Sequence, residues 1–148
     1  MKFVDYRVED NIAHVVMSRE PVNALSTELV DEILESYTAA KNDPSVRCLM
    51  LESGLPKVFC AGMDLAVFTG GGLSDSEKTE RGRRNALTRE SALHLQESFT
   101  CFERARMPVL AAIQGGCVGG AVDMVTAADM RYATEDAWFC IQEINIGM

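Results

Sequence analysis

The chemistry in this 148-residue sequence must come from carboxylates, backbone dipoles or both. Its two histidines are badly placed for a site: His14 falls in an alternating, strand-like segment and His94 mid-helix, where structural or surface roles are the rule. The stretch Gly115-Gly116-Cys117-Val118-Gly119-Gly120 lies between an apolar run and a helix. Glycines at a strand-to-helix turn let a ligand approach the backbone closely. The first N–H groups of the helix have no partner within it and sit at its positive end. Such a place stabilises an anion, or an oxygen that becomes one. The stretch does not match GxGxxG, the dinucleotide fingerprint. Taken alone, glycines of this kind serve tight packing more often than ligand binding.

Asp123 follows Gly120 by one helical turn, in a helix otherwise built from Ala121, Val122, Met124 and Val125. A carboxylate there is unusual unless it faces a polar cavity. Glu143 comes 20 residues later, directly after an apolar strand, and could return to the same place. Each acid alone reads equally well as a solvated surface carboxylate. Asp129, Glu135 and Asp136 read as turn residues.

The elements that must position these groups alternate between strand and helix. Phe3 to Val8 and Ile12 to Met17 have period two around Glu9-Asp10-Asn11 and read as a β-hairpin. Ser26 or Thr27 caps a helix to about Lys41, with Leu29, Val30, Ile33, Leu34, Tyr37 and Ala40 on one face. Asn42-Asp43-Pro44 ends it. Val46 to Glu52 and Val109 to Ile113 read as buried strands. Thr69 to Arg84 is polar, with three consecutive glycines, and reads as a loop or flexible lead into a helix from Asn85 to about Ala105. After the glycine stretch come a short helix from Ala121 to Ala127 and strands at Met130–Tyr132 and Trp138–Ile141. This order predicts one α/β domain over residues 1–148. The chain stops at Ile144-Asn145-Ile146-Gly147-Met148, just after a strand, which reads as an interrupted fold.

Composition narrows the function classes. A formal charge of −8 argues against nucleic-acid binding, which needs Lys and Arg against phosphates. The five cysteines are an odd, scattered set without CxxC, so no zinc or redox motif is present and a reducing compartment fits. Early charges leave no room for a signal peptide, and the longest apolar stretch, Met107 to Ile113, is too short to span a bilayer. The expectation is a cytoplasmic protein with no metal site and no membrane partner.

Three stretches resemble the crotonase superfamily of enoyl-CoA hydratases and isomerases: Pro21-Val22-Asn23-Ala24-Leu25-Ser26, Phe59-Cys60-Ala61-Gly62-Met63-Asp64-Leu65, and Gly115 through Asp123. Their order and spacing cover nearly the whole chain. The resemblance implies a crotonase-like spiral of ββα repeats with acyl-CoA bound across it, and no separate cofactor, because CoA is part of the substrate. It implies an oxyanion hole from the N–H groups of Met63 and Gly120. Val22, Ala24, Ala61, Asp64 and Leu65, with Gly116, become substrate-binding positions, and Asp123 and Glu143 the catalytic acids. It further implies C-terminal helices missing from this chain, and a homo-trimer or hexamer in the complete protein.

The branch within the family is less direct. Hydratases of this kind use two glutamates, whereas this sequence has Asp123 and then Glu143. That pair, and the absence of proline before Glu143, resemble the dienoyl-CoA isomerases, whose further aspartate would lie just beyond Gly147. A lysine frequent in hydratases two residues after Asp64 is here Ala66, leaving phosphate ligands unassigned. The alternatives are a 2-enoyl-CoA hydratase, thioester hydrolysis or decarboxylation on the same oxyanion hole, and a non-catalytic acyl-CoA-binding or assembly fragment.

Overall fold

The computed structural model describes residues 1–66 and 80–146. Strands β1 (Val4–Glu9) and β2 (Ile12–Met17) form the expected antiparallel hairpin. Its turn residues, Asp10 and Asn11, have φ of 49° and 66°, the left-handed pair that matches the twist of a tight hairpin. Helix α1 (Thr27–Asn42) starts at Ser26, whose Oγ accepts from the Leu29 N–H at 3.3 Å. One face, Leu29, Val30, Ile33, Tyr37 and Ala40, is buried. Arg106 closes its far end by donating to the carbonyls of Ala40 and Lys41, which have no partner within the helix.

From there the chain repeats one unit. β3 (Cys48–Ser53) joins β2 in parallel; β4 (Val58–Cys60) starts a second sheet; α2 (Arg81–Glu103) follows. Next come β5 (Val109–Ile113), β6 (Gly116–Val118) and α3 (Gly120–Thr126), then β7 (Met130–Ala133), β8 (Trp138–Cys140) and the one-turn α4 (Glu143–Ile146). Each turn gives one strand to a five-stranded sheet, β1-β2-β3-β5-β7, and one to a three-stranded parallel sheet, β4-β6-β8. This is the α/β, ββα spiral expected above. Phe59, Phe102, Leu25, Leu49, Leu51, Ile113 and Met124 fill the space between the layers and are almost wholly inaccessible. Each such side chain is worth roughly 1.5–3 kcal/mol by removal from water.

Two expectations need correction. The helix expected from Asn85 begins four residues earlier, at Arg81, where the Glu80 carboxylate accepts from the Gly82 N–H at 3.2 Å. Its first turns are arginine-rich and carry no apolar period, so hydrophobic patterning could not show them. Of the polar segment Thr69–Arg84, residues 69–79 lie outside the described residues. The stretch after Gly115 is not all turn, because Gly116–Val118 is a strand pairing with both β4 and β8. Three residues are too few for periodicity, and partners distant in sequence decide the pairing. Gly115 makes the corner: its φ is +61°, and a β-carbon there would overlap the Lys57 carbonyl.

Asp129 does more than turn the chain, since its Oδ2 accepts from the Val109 N–H at 2.8 Å and anchors the start of β5. Tyr132, Trp138, Phe139, Ile141 and Ile144 are all more than half exposed, giving an apolar face beside β7 and β8. Among the described residues no helix is long and apolar enough to cross a membrane.

Candidate active site

Helix α3 presents Asp123 by elimination. Ala121, Met124 and Val125 are buried against the core, which leaves Asp123 on the opposite face. Arg131 secures the helix by donating to the carbonyls of Val125 and Thr126 at its C-terminal end, at 3.1 and 3.4 Å. Its entry residue, Gly119, has φ +55° and ψ −129°, a conformation natural only to glycine. The Gly119 N–H donates to the Cys140 carbonyl at 2.8 Å, so the entry of α3 is tied to the end of β8. Three residues past Cys140, Glu143 opens α4 and reaches back: a β-carbon on Gly119 would lie 2.9 Å from Glu143 Oε1.

Asp123 and Glu143 line one cleft of about 1050 Å³. The Asp123 pKa is raised, first by desolvation from neighbouring protein and then by the Glu143 charge. Asp123 is open to solvent on its outer side. Two carboxylates on one cleft, with Asp123 holding its proton more tightly, suit proton transfer.

Met63 and Gly120 border the same cleft. Met63 forms an isolated parallel bridge with Leu25: the Leu25 N–H donates to the Gly62 carbonyl at 2.8 Å, and the Leu25 carbonyl accepts from the Asp64 N–H at 3.1 Å. In that pattern the Met63 N–H points away from Leu25. Gly120 is the first residue of α3, where an N–H has no helical partner. A β-carbon at Gly120 would stand 3.9 Å from Met63 Cγ, so the two positions are neighbours. Gly62 permits the approach, with φ +84° and room for no side chain, since a β-carbon there would be 2.6 Å from the Val118 carbonyl oxygen.

The remaining expected positions gather next door. The Ala61 N–H donates to the Val22 carbonyl at 3.0 Å. Arg19 donates from Nη1 to the Ala24 carbonyl at 2.8 Å and pairs through Nη2 with Asp64 Oδ2 at 2.6 Å. The Asp64 pKa is lowered, by the Ala66 N–H foremost and by Arg19 as well. Leu65 beside it is 70 % exposed. Gly116 stands apart: it is buried in β6, where a β-carbon would meet the Trp138 ring at 2.9 Å, and it does not line the cleft.

Three groups escaped sequence reading. Arg19 carries no local signature, yet it ties the Ala24 and Asp64 loops together. Asn23, fully buried with φ +51°, donates to the Phe59 carbonyl at 3.0 Å and to Ser53 Oγ at 2.9 Å, fixing the same loop. The wall of the cleft contributed by α2 includes His94, whose sequence context gave it no role in a site. His94 Nε2 sits 2.7 Å from Asp31 Oδ1 on this rim, while His14 Nδ1 pairs with Glu52 at 2.7 Å, away from it. Burial pushes the Cys60, Cys101 and Cys117 thiols up to about 12. Among the described residues no three metal-binding side chains cluster.

Residues 7–148 match the family model described as enoyl-CoA hydratase/isomerase. A peroxisomal Delta(3,5)-Delta(2,4)-dienoyl-CoA isomerase of Arabidopsis thaliana is 33 % identical over 149 residues, covering 100 % of this chain and 53 % of its own. The mitochondrial protein of the same name from Homo sapiens is 33 % identical over 141 residues, covering 95 % and 42 % respectively. The crystal structure of an enoyl-CoA hydratase/isomerase from Marinobacter aquaeolei shares the fold, with a TM-score of 0.86 at 22 % identity over 100 % of this chain and 55 % of its own. The chain spans about half the length of the curated relatives it matches.

Proposed function

Because the chain belongs to the enoyl-CoA hydratase/isomerase family, we propose that the intact protein shifts the conjugated double bonds of a dienoyl-CoA thioester. The observation that carries this reading is the pair Asp123 and Glu143 on one cleft, close enough for one charge to raise the pKa of the other. The aspartate-then-glutamate order and the names of the relatives above point to the isomerase rather than the hydratase.

On this reading the thioester oxygen takes hydrogen bonds from the N–H groups of Met63 and Gly120. Polarising the carbonyl acidifies the carbon beside it, and the charge that develops rests on the oxygen between the two proton transfers. Losing one such donor costs roughly 3–4 kcal/mol of transition-state stabilisation. One carboxylate removes a proton from one carbon of the resulting dienolate path and the other delivers a proton to another carbon, with no net uptake of water. CoA lies along Val22, Ala24, Ala61, Asp64 and Leu65, and the reaction requires no further cofactor. The complete protein assembles as a trimer or hexamer. Five free thiols fit the reducing cytoplasm inferred from the sequence, whereas the relatives named above are peroxisomal and mitochondrial, so fractionation of the intact protein decides its compartment.

The test uses the intact protein with a 3,5-dienoyl-CoA, following formation of the 2,4-isomer. Asp123→Asn and Glu143→Gln should each slow it by roughly a hundredfold or more. Rapid incorporation of labelled oxygen from water at the β-carbon of a simple 2-enoyl-CoA would replace the isomerase reading with the hydratase one.

A further inference from the structure

Phe3 stands just ahead of β1, where three segments distant in sequence meet. The ladder between β1 and β2 begins at the pair Val4 and Met17, so Lys2 and Phe3 lie outside it. Glu32 of α1 fixes them there. Its Oε1 accepts from the Lys2 N–H at 2.8 Å, and its Oε2 from the Phe3 and Val4 N–H groups at 2.7 and 2.8 Å. Burial disfavours the Glu32 charge, but these donors and the N-terminal ammonium outweigh it and lower the pKa. The Phe3 carbonyl accepts from the Ser18 N–H at 2.7 Å, which brings Phe3 beside the next residue, Arg19. Arg19 Cζ stands 5.5 Å over the Phe3 ring centroid, and Lys2 Nζ 4.6 Å from it, both within cation–π range. The Arg19 side chain is largely buried, so its attraction to the ring is less screened than on an open surface. Its bonds to the Ala24 carbonyl and to Asp64 both leave from the Nη atoms, at the far end of a flexible side chain. Whatever holds the guanidinium plane therefore holds both loops.

We propose that Phe3, clamped by Glu32, is a positioning residue for coenzyme A: its ring holds the Arg19 guanidinium in the orientation that joins the Ala24 and Asp64 loops. The inference rests on the acyl-CoA reading of those loops and goes beyond it in naming two residues that act on them through Arg19. A guanidinium is planar and weakly hydrated, so an aromatic face orients it in a way an aliphatic side chain does not. Neither Phe3 nor Glu32 lines the cleft of Asp123 and Glu143, so the effect falls on binding and not on proton transfer.

The experiment titrates the intact protein with free CoA by calorimetry, alongside kinetics with a 3,5-dienoyl-CoA. Phe3→Leu keeps apolar bulk but removes the aromatic face. It should weaken CoA binding about three- to tenfold and raise KM in step, with kcat unchanged. Phe3→Tyr restores the face and should restore the affinity. In an Arg19→Ala background, Phe3→Leu should weaken CoA no further, because the group on which the ring acts is gone. Glu32→Gln, with the ring intact, should weaken CoA in the same direction and likewise lose its effect in that background. A Phe3→Leu protein that melts lower than wild type yet binds CoA equally well would overturn the proposal, since the ring would then serve packing alone. Full additivity of Phe3→Leu with Arg19→Ala would overturn it too. Should Phe3→Leu fail to fold by circular dichroism, Glu32→Gln with and without Arg19→Ala decides by the same criterion. Wild type that binds no CoA would remove the acyl-CoA reading and this proposal together. The expected binding pattern in a protein that isomerises no dienoyl-CoA would leave the positioning role standing and sink only the proposed reaction.

Discussion

Gly119 and Glu143 touch so closely that no side chain fits between them: a β-carbon on Gly119 would stand 2.9 Å from Glu143 Oε1. The glycine therefore does two things at once. It makes the positive-φ corner that starts α3, and it leaves space for the carboxylate that opens α4. Gly119→Ala should cost about 1–3 kcal/mol in denaturant unfolding through backbone strain alone. It should also lower kcat at least tenfold by displacing Glu143, with little change in KM. An alanine variant as unstable as expected but fully active would show that the position of Glu143 does not matter to the reaction.

Asp123 provides a titration with a defined sign. Its pKa is raised above the ordinary 3.8 by desolvation and by Glu143, so Glu143→Gln should move it back down. Carboxyl NMR of the two proteins reads this directly. A folded-state pKa above the unfolded value means that stability is full below the unfolded pKa and is lost as pH rises through the folded one. Asp123→Asn should therefore melt higher than wild type at neutral pH, and the advantage should vanish below pH 3.8.

Gly120 permits a clean test of a single N–H. It is the first residue of α3, where proline is tolerated because that N–H has no partner within the helix. Gly120→Pro should keep the fold by circular dichroism and lower turnover by roughly a hundredfold or more. Gly120→Ala keeps the N–H, and its β-carbon meets Leu25 Cδ1 at an ordinary 3.5 Å, so it should retain most of the rate. Equal rates in the proline and alanine variants would remove the backbone donor from the mechanism.

Arg19 and Asp64 clasp two loops that are distant in sequence. Removing the guanidinium in Arg19→Ala severs the bonds to Asp64 and to the Ala24 carbonyl and should cost about 1–3 kcal/mol. Because the Asp64 pKa is lowered, its contribution is present above the ordinary 3.8 and is lost as pH falls through the lower folded value. Thermal melts over an acid series should show the gap between wild type and Arg19→Ala narrowing towards the lowest pH, down to the part owed to the Ala24 carbonyl bond.

The spiral's elements were legible because their signals are local. Alternation marked the hairpin, the apolar face from Leu29 to Ala40 marked α1, and short apolar runs marked β3 and β5. The acids were legible as candidates because Asp123 interrupts an apolar helix and Glu143 follows a strand. Family resemblance supplied Met63 and Gly120, whose side chains have no part in the role. What the tertiary structure alone decided was proximity. Glu143 meets Gly119 because β6 and β8, about twenty residues apart in the chain, are neighbours in one sheet. Gly116 sits within β6 for the same reason, since a three-residue strand is defined by its partners rather than by its own pattern. Arg19 reaches Asp64 across 45 residues, and α2 becomes a wall of the cleft only by packing on α1 and α3. Periodicity reports which face of an element is apolar; which element that face meets is fixed by the packing of the whole chain.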